Sequence, residues 1–269
     1  MSLIEKSIQD VRNLDLLARG DCWIFKLDPR AKLITTLVFI FAVVSVDKYA
    51  IAQLLPFLIY PVALIGIGNL PVRYFLKKIC VVAPFAILVG MFNPLLDRTI
   101  LFHIGSLGIS GGWISFASIL LRFTLTVGSA LILIAMTSFN GICLALEKLR
   151  VPQVFVVQLL FLYRYLFVLA DEAVRMSRAR ALRSFGNRGP GLKTFSSMAG
   201  CLLLKATSRA ERIHLAMRCR GFDGTIRMMQ QTHFQTRDLL YITGWSSLFV
   251  VFRLYNIPEL IGSVAMEFF

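Results

Sequence analysis

Two stretches late in the chain, SRARALRSFG (177–186) and LAMRCRGFDG (215–224), set arginines beside small residues and then glycine. In the first, Arg178, Arg180 and Arg183 precede Gly186; in the second, Arg218 and Arg220 precede Gly221. Arginine at an accessible helix end can give several hydrogen bonds to acceptors in a groove. Small neighbours (Ala179, Ala181, Cys219, Gly221) let another backbone come close. A helix C-terminus stabilises a cation by about 0.3–1 kcal/mol, so capping alone would account for any one of these arginines. Two such ends in one chain point instead to a pair of docking tips.

Other chemistry is hard to find. No G-x-x-x-x-G-K-[ST] loop is present to bind ATP, and no H-E-x-x-H or spaced Ser/His/Asp set points to an enzyme. The histidines (His103, His214, His233) are lone and far apart, so no metal site is expected; His103 is the least implausible ligand. The five cysteines are scattered without C-x-x-C spacing and read as reduced, small apolar residues. A self-contained permease or channel is the alternative reading, but its acids (Asp47, Asp97, Glu259, Glu267) fall at span ends. Arg122 lies inside an apolar run, where pairing with backbone carbonyls or a neighbouring helix is the expectation.

The elements that hold these residues are apolar. Of 269 residues 57% are hydrophobic and 16% charged, with mean hydropathy +0.72, outside soluble composition. The net charge of +14 is uneven: from Asp171 to Arg237 there are 13 Lys/Arg against four acids. In a membrane protein such a block marks a cytoplasmic segment rather than a nucleic-acid surface. In FKLDPRAKL (25–33), Asp28 suits an N-cap and Pro29 the first helical position, with Arg30 and Lys32 at the cytoplasmic edge of a span. Spans are predicted at about 33–46, 50–70, 79–96 and 113–138, with an outer loop at 97–112 and a last span at 239–257 near whose end Arg253 can snorkel. No cleaved signal peptide is expected at the start.

The segment 154–170 is apolar enough to cross, yet it contains Gln158 and Arg164. Four spans return the chain to the inside, and a fifth crossing here would carry the basic block outside. It is therefore read as a helix along the membrane, with Tyr163, Arg164 and Tyr165 packed against the fourth span. GNRGPG (186–191) supplies the turn of a helical hairpin whose second helix runs over about 192–220. On that helix Leu203, Ala206, Ala210, Ile213 and Met217 form one face, which continues to Arg220. Lys205, Arg209 and Arg212 fall opposite, and Gly221 is available as the C′ residue. The expectation is an all-α integral membrane protein of about five transmembrane helices plus a cytoplasmic hairpin. Its regions are 1–138, 139–237 and 238–269. Contact of the basic segment with anionic lipid is expected in any case.

Over about residues 15–225 the sequence resembles the transmembrane T component of energy-coupling factor transporters, the CbiQ/EcfT family, most closely its cobalt branch. The resemblance rests on FKLDPRAKL, LEKLRVP (146–152), YRY…DEAVRMSRARALRSF and SRAERIHLAMRCRGF. It implies that Ala179-Arg180-Ala181 and Cys219-Arg220-Gly221 end coupling helices and insert into grooves on two ABC-type ATPases, with Arg178, Arg183 and Arg218 in support. It further implies a bacterial or archaeal inner-membrane chain that holds no cofactor itself. ATP and Mg would sit on the ATPases. A separate cobalt-type substrate-binding membrane subunit would be moved, with a small accessory membrane subunit as an optional further partner.

Overall fold

The computed structural model describes residues 18, 20, 22–96, 100–104, 107–183, 191–226 and 234–255. These fall into two compact units: residues 139–226 in one, and residues up to 138 together with 234–255 in the other.

The first helix of the larger unit, α1 (Pro29–Ser45), begins as its sequence demands: the Asp28 carboxylate accepts from the Arg30 N–H at 2.9 Å and Pro29 occupies N1. The predicted second span is broken. Pro56 and Pro61 divide it into α2 (Ile51–Leu54), a 3-10 turn (Pro56–Leu58) and α3 (Ile59–Ile67), since proline removes a ladder hydrogen bond and clashes with the preceding turn. α4 (Val72–Leu96) and α5 (Gly111–Thr137) are long enough and apolar enough to cross a bilayer. They approach closely at Gly90, where a Cβ would lie 2.8 Å from the Phe116 ring. Between them the expected outer loop contains an antiparallel hairpin, β1 (Ile100–Ile104) with β2 (Leu107–Ser110). α9 (Thr236–Leu254) closes the unit against α1.

An aromatic core joins α1, the broken helix and α9: Phe39 lies 4.6 Å from Tyr60 and 5.2 Å from Phe249, and Tyr60 lies 5.0 Å from Trp245. Both intramembrane arginines are spoken for. Arg122 of α5 donates to the Val46 carbonyl at 2.6 Å, as expected of a central arginine. Arg253 of α9 donates to the Ser45 carbonyl at 2.9 Å. Two cations thus converge on the C-terminus of α1, where orphan carbonyls carry partial negative charge.

Lys32, expected at the cytoplasmic edge of a span, is buried: it is 4% exposed, and its ammonium donates to the carbonyls of Phe25 (3.0 Å) and Met136 (3.1 Å). Beside it, the buried Asp238 carboxylate accepts from the N–H of Asp28 (2.9 Å) and of Gln235 (2.8 Å). No local pattern announces this pairing, since Asp28 and Asp238 are 210 residues apart.

The smaller unit consists of α6 (Phe139–Lys148), α7 (Gln153–Arg183) and α8 (Leu192–Cys219). α6 was not anticipated. It ends with the Arg150 N–H bonded to the Glu147 carbonyl and the Val151 N–H to the Leu146 carbonyl, with Arg150 at φ +66°. That is a Schellman motif with arginine in the place glycine prefers, and Pro152 follows it. α7 is a single helix, not an apolar segment followed by a separate charged one. Its 31 residues join the apolar 154–170 to the basic stretch, and its length and composition would also suffice to cross a bilayer.

Candidate functional site

The two arginine tips sit on α7 and α8, and a carboxylate ties those helices together. Glu172 on α7 accepts from Lys205 on α8 at 2.7 Å and from Arg175, one turn along its own helix, at 2.7 Å. The hydrogen bonds from Lys205 and then Arg175 hold the Glu172 carboxyl below its ordinary pKa, and the bond to Glu172 raises that of Lys205. Further along, Phe161, Tyr165 and Leu169 of α7 recur every fourth residue and face Ala206, Ile213 and Met217 of α8. An apolar groove of about 470 Å³ lies between them.

The packing face of α8 is displaced by about one residue from the expected stripe. Its half-buried residues are Thr194, Met198, Leu202, Ala206, Arg209, Ile213 and Met217, whereas Leu203 and Ala210 are exposed. Spacings of four dominate that series, so the face winds slowly around α8 as it crosses its neighbour. Arg209 therefore lines the groove instead of lying opposite, its stem covering apolar surface, while Lys205 and Arg212 remain exposed. Tyr163 stacks on Phe139 of α6 with ring centroids 4.3 Å apart.

The tip of α8 is built by residues 217–222. The Gly221 N–H bonds to the Arg218 carbonyl (3.0 Å) and the Phe222 N–H to the Met217 carbonyl (3.0 Å), with Gly221 at φ +77°. This is the Schellman arrangement expected from Gly221 as C′, in a conformation that costs an L-residue with a side chain about 1–2 kcal/mol. Phe222 then folds back to lie 6.5 Å from the Phe161 ring of α7, fixing the direction in which the chain leaves. Next, Asp223 accepts from the backbone and hydroxyl of Thr225 (3.0 and 2.7 Å). Arg220 occupies the C-cap, with φ −93°. It is exposed, as are Arg218 and Cys219, and its guanidinium has no partner among the described residues.

On α7, Ala179, Ala181 and Arg178 are exposed and Arg180 is half-buried in the helix's last turn, which ends at Arg183. The expected glycine stop, Gly186, and most of the turn at 186–191 lie outside the described residues, as does His233. His214 borders the groove and His103 belongs to β1.

A model of the CbiQ family, described as cobalt transport protein, matches residues 20–233. The chain belongs to the CbiQ family. It is also 26% identical over 226 residues to an uncharacterised protein of Methanocaldococcus jannaschii, covering 80% of this chain and 77% of the relative. It is 26% identical over 248 residues to the energy-coupling factor transporter transmembrane protein EcfT of Ruminiclostridium cellulolyticum, covering 86% and 91%. A fused cobalt transport protein CbiMQ of Methanocorpusculum labreanum is 28% identical over 117 residues, which is 43% of this chain and 20% of that longer protein. As a CbiQ-family chain with long apolar helices it is a multi-pass cell-membrane protein and a transporter component.

Proposed function

We propose that this chain is the coupling subunit of an ECF-type importer, which carries ATP-driven motion of two ABC-type ATPases to a separate substrate-binding membrane subunit. The observation that carries this reading is the tip of α8. Arg220 stands exposed at a helix end held by Gly221 and Phe222, while Lys205, four turns back on the same helix, is already engaged by Glu172. An unengaged guanidinium on a fixed support is what a groove of backbone and side-chain acceptors on another protein would select. Arg180, flanked by Ala179 and Ala181 in the last turn of α7, is the second docking arginine, with Arg178, Arg183 and Arg218 adding positive charge around both. Cobalt ion is the proposed cargo, on the strength of the family's description and of the fused relative's name. The chain contributes neither nucleotide site nor chemistry in this reading; ATP and Mg belong to the ATPases. A self-contained permease loses its best residue, because Arg122 is committed to the Val46 carbonyl.

The test is co-purification with the candidate ATPases, comparing wild type with Arg180→Glu, Arg220→Glu and the double variant. Wild type should bring down the ATPases and the double variant should lose them or uncouple their hydrolysis. Capture absent in wild type, or untouched by both reversals in folded protein, would return the arginines to topology signals.

A further inference from the structure

The buried cluster of Asp28, Lys32 and Asp238 lies outside the arginine tips and has no part in the docking just described. Its position along the chain is informative. The larger unit hands over to the smaller one after Ser138 and is rejoined by the described chain at Phe234. Both ends of that excursion are held by the same few side chains. On the way out, Lys32 grips the carbonyl of Met136, next to the last residue of α5. Two residues later Ser138 stands at φ +60° and is the only residue between α5 and α6. A non-glycine residue in the left-handed region is sparsely populated, and here it turns one helix directly into the next. On the way back, Asp238 closes the start of α9 by accepting from Gln235 N–H, and with its other oxygen it accepts from Asp28 N–H at the start of α1.

Two helix starts and one helix end therefore meet at this point. The carboxylates lie at the positive ends of α1 and α9 and the ammonium at the negative end of α5, the arrangement that helix dipoles favour. A cluster of this kind adds little net stability over a well-packed apolar one of the same size, but loses much when one member is removed.

We infer that Lys32, with Asp28 and Asp238, is the anchor that links both chain connections of the coupling unit to α1, so that displacement of that unit is delivered to α1, α5 and α9 together. Lys32 is thus a positioning residue, and this role rests on the coupling function proposed above. Without the anchor, α6 would swing about Ser138 and α9 would follow its own start, and the motion would dissipate before reaching the membrane helices.

The experiment uses the full complex with its ATPases in lipid nanodiscs and reads hydrogen exchange with ATP against ADP. Wild type is compared with Lys32→Met and with Asp238→Asn, the milder change serving if Lys32→Met fails to fold. In wild type the exchange of α7, α8, α1 and α9 should all respond to nucleotide. The variants should keep the ATPases and the response in α7 and α8 but lose the response in α1 and α9, a drop of about tenfold on the scale of ordinary inter-site coupling. Persistence of the α1 and α9 response, or loss of ATPase binding along with it, overturns the anchor. If wild type captures no ATPase, the coupling reading itself falls in the control arm. The anchor is then judged on the chain alone. There Lys32→Met must speed exchange at both 134–138 and 235–240, and a change at one site only overturns it.

Discussion

Replacing Asp238 by alanine removes a carboxylate that accepts two buried backbone N–H groups, those of Asp28 and Gln235, at 2.9 and 2.8 Å. Each orphaned buried donor costs about 1–3 kcal/mol. Lys32 would lose one of its two neighbouring carboxylates, and breaking a buried charge cluster by deleting one member costs about 3–5 kcal/mol. These terms share partners and do not add, so about 3–5 kcal/mol is the expected total. Asp238→Asn keeps one carbonyl oxygen but turns an amide donor toward the second N–H, and should cost about 1–2 kcal/mol. At about 2–4 °C per kcal/mol, the alanine variant should melt on the order of 10 °C below wild type in detergent. The assay is circular dichroism against temperature, with Lys32→Met and the Lys32→Met/Asp238→Ala double variant completing the cycle. The double variant should lose clearly less than the sum of the singles. A shift under about 2 °C for Asp238→Ala, or strict additivity with Lys32→Met, would refute the reasoning.

Gly221→Ala forces a Cβ into φ +77°; it should leave global melting unchanged but raise hydrogen exchange of the 217–222 amides about 5–30-fold, the equivalent of 1–2 kcal/mol of local opening. Arg150→Gly relieves the φ +66° strain at the end of α6 and should stabilise the chain by about 1 kcal/mol, read as a raised melting temperature; unchanged or lowered melting would show the side chain compensating. The Glu172–Lys205 link has a defined pH window. The lowered Glu172 pKa means its contribution is full above the unfolded carboxyl's pKa and is lost as pH falls through the folded one. The raised Lys205 pKa means its contribution is full below the unfolded lysine's and is lost as pH rises through the folded one. Distances between spin labels on α7 and α8 should therefore hold steady through neutral pH and widen only in acid or in strong base, and Glu172→Gln should abolish both transitions.

What could be read from the sequence was local. Asp28-Pro29 announced the start of α1 because capping and proline preference act within a turn, and Gly221 announced the end of α8 for the same reason. The apolar runs of α4 and α5 were visible because length and composition alone carry that signal. The arginine tips were legible as residues, although the face on which α8 packs was misjudged. The crossing of two helices shifts the contact stripe in a way one helix's own periodicity does not encode, so Arg209 fell on the wrong side. The burial of Lys32 was not visible because one of the two carbonyls it grips, that of Met136, is brought to it only by tertiary folding. The carbonyl that Arg253 finds at the end of α1 was hidden for the same reason. A buried lysine among apolar residues looks in sequence like a flanking one, and only the fold distinguishes them.

The first helix is clamped at one end by Lys32 and Asp238 and at the other by Arg122 and Arg253, with 17 residues between. That fixes the separation of its polar termini at about 26 Å, at 1.5 Å per residue. Its neighbour α9, at 19 residues, is about 28 Å long on the same measure. Both are short against a hydrocarbon layer of about 30 Å, and tilting, the usual remedy for a helix that is too long, only worsens the shortfall. Where α1 and α9 cross the membrane, as the sequence predicts, such a shortfall is met by local thinning of the lipid or by snorkelling of flanking residues, so the bilayer should be pinched beside them. Membrane thickness then becomes a physical variable acting on this protein: chains of fourteen carbons should suit these helices better than chains of twenty-two, and any membrane partner with an equally short span would be drawn to the thinned strip beside them.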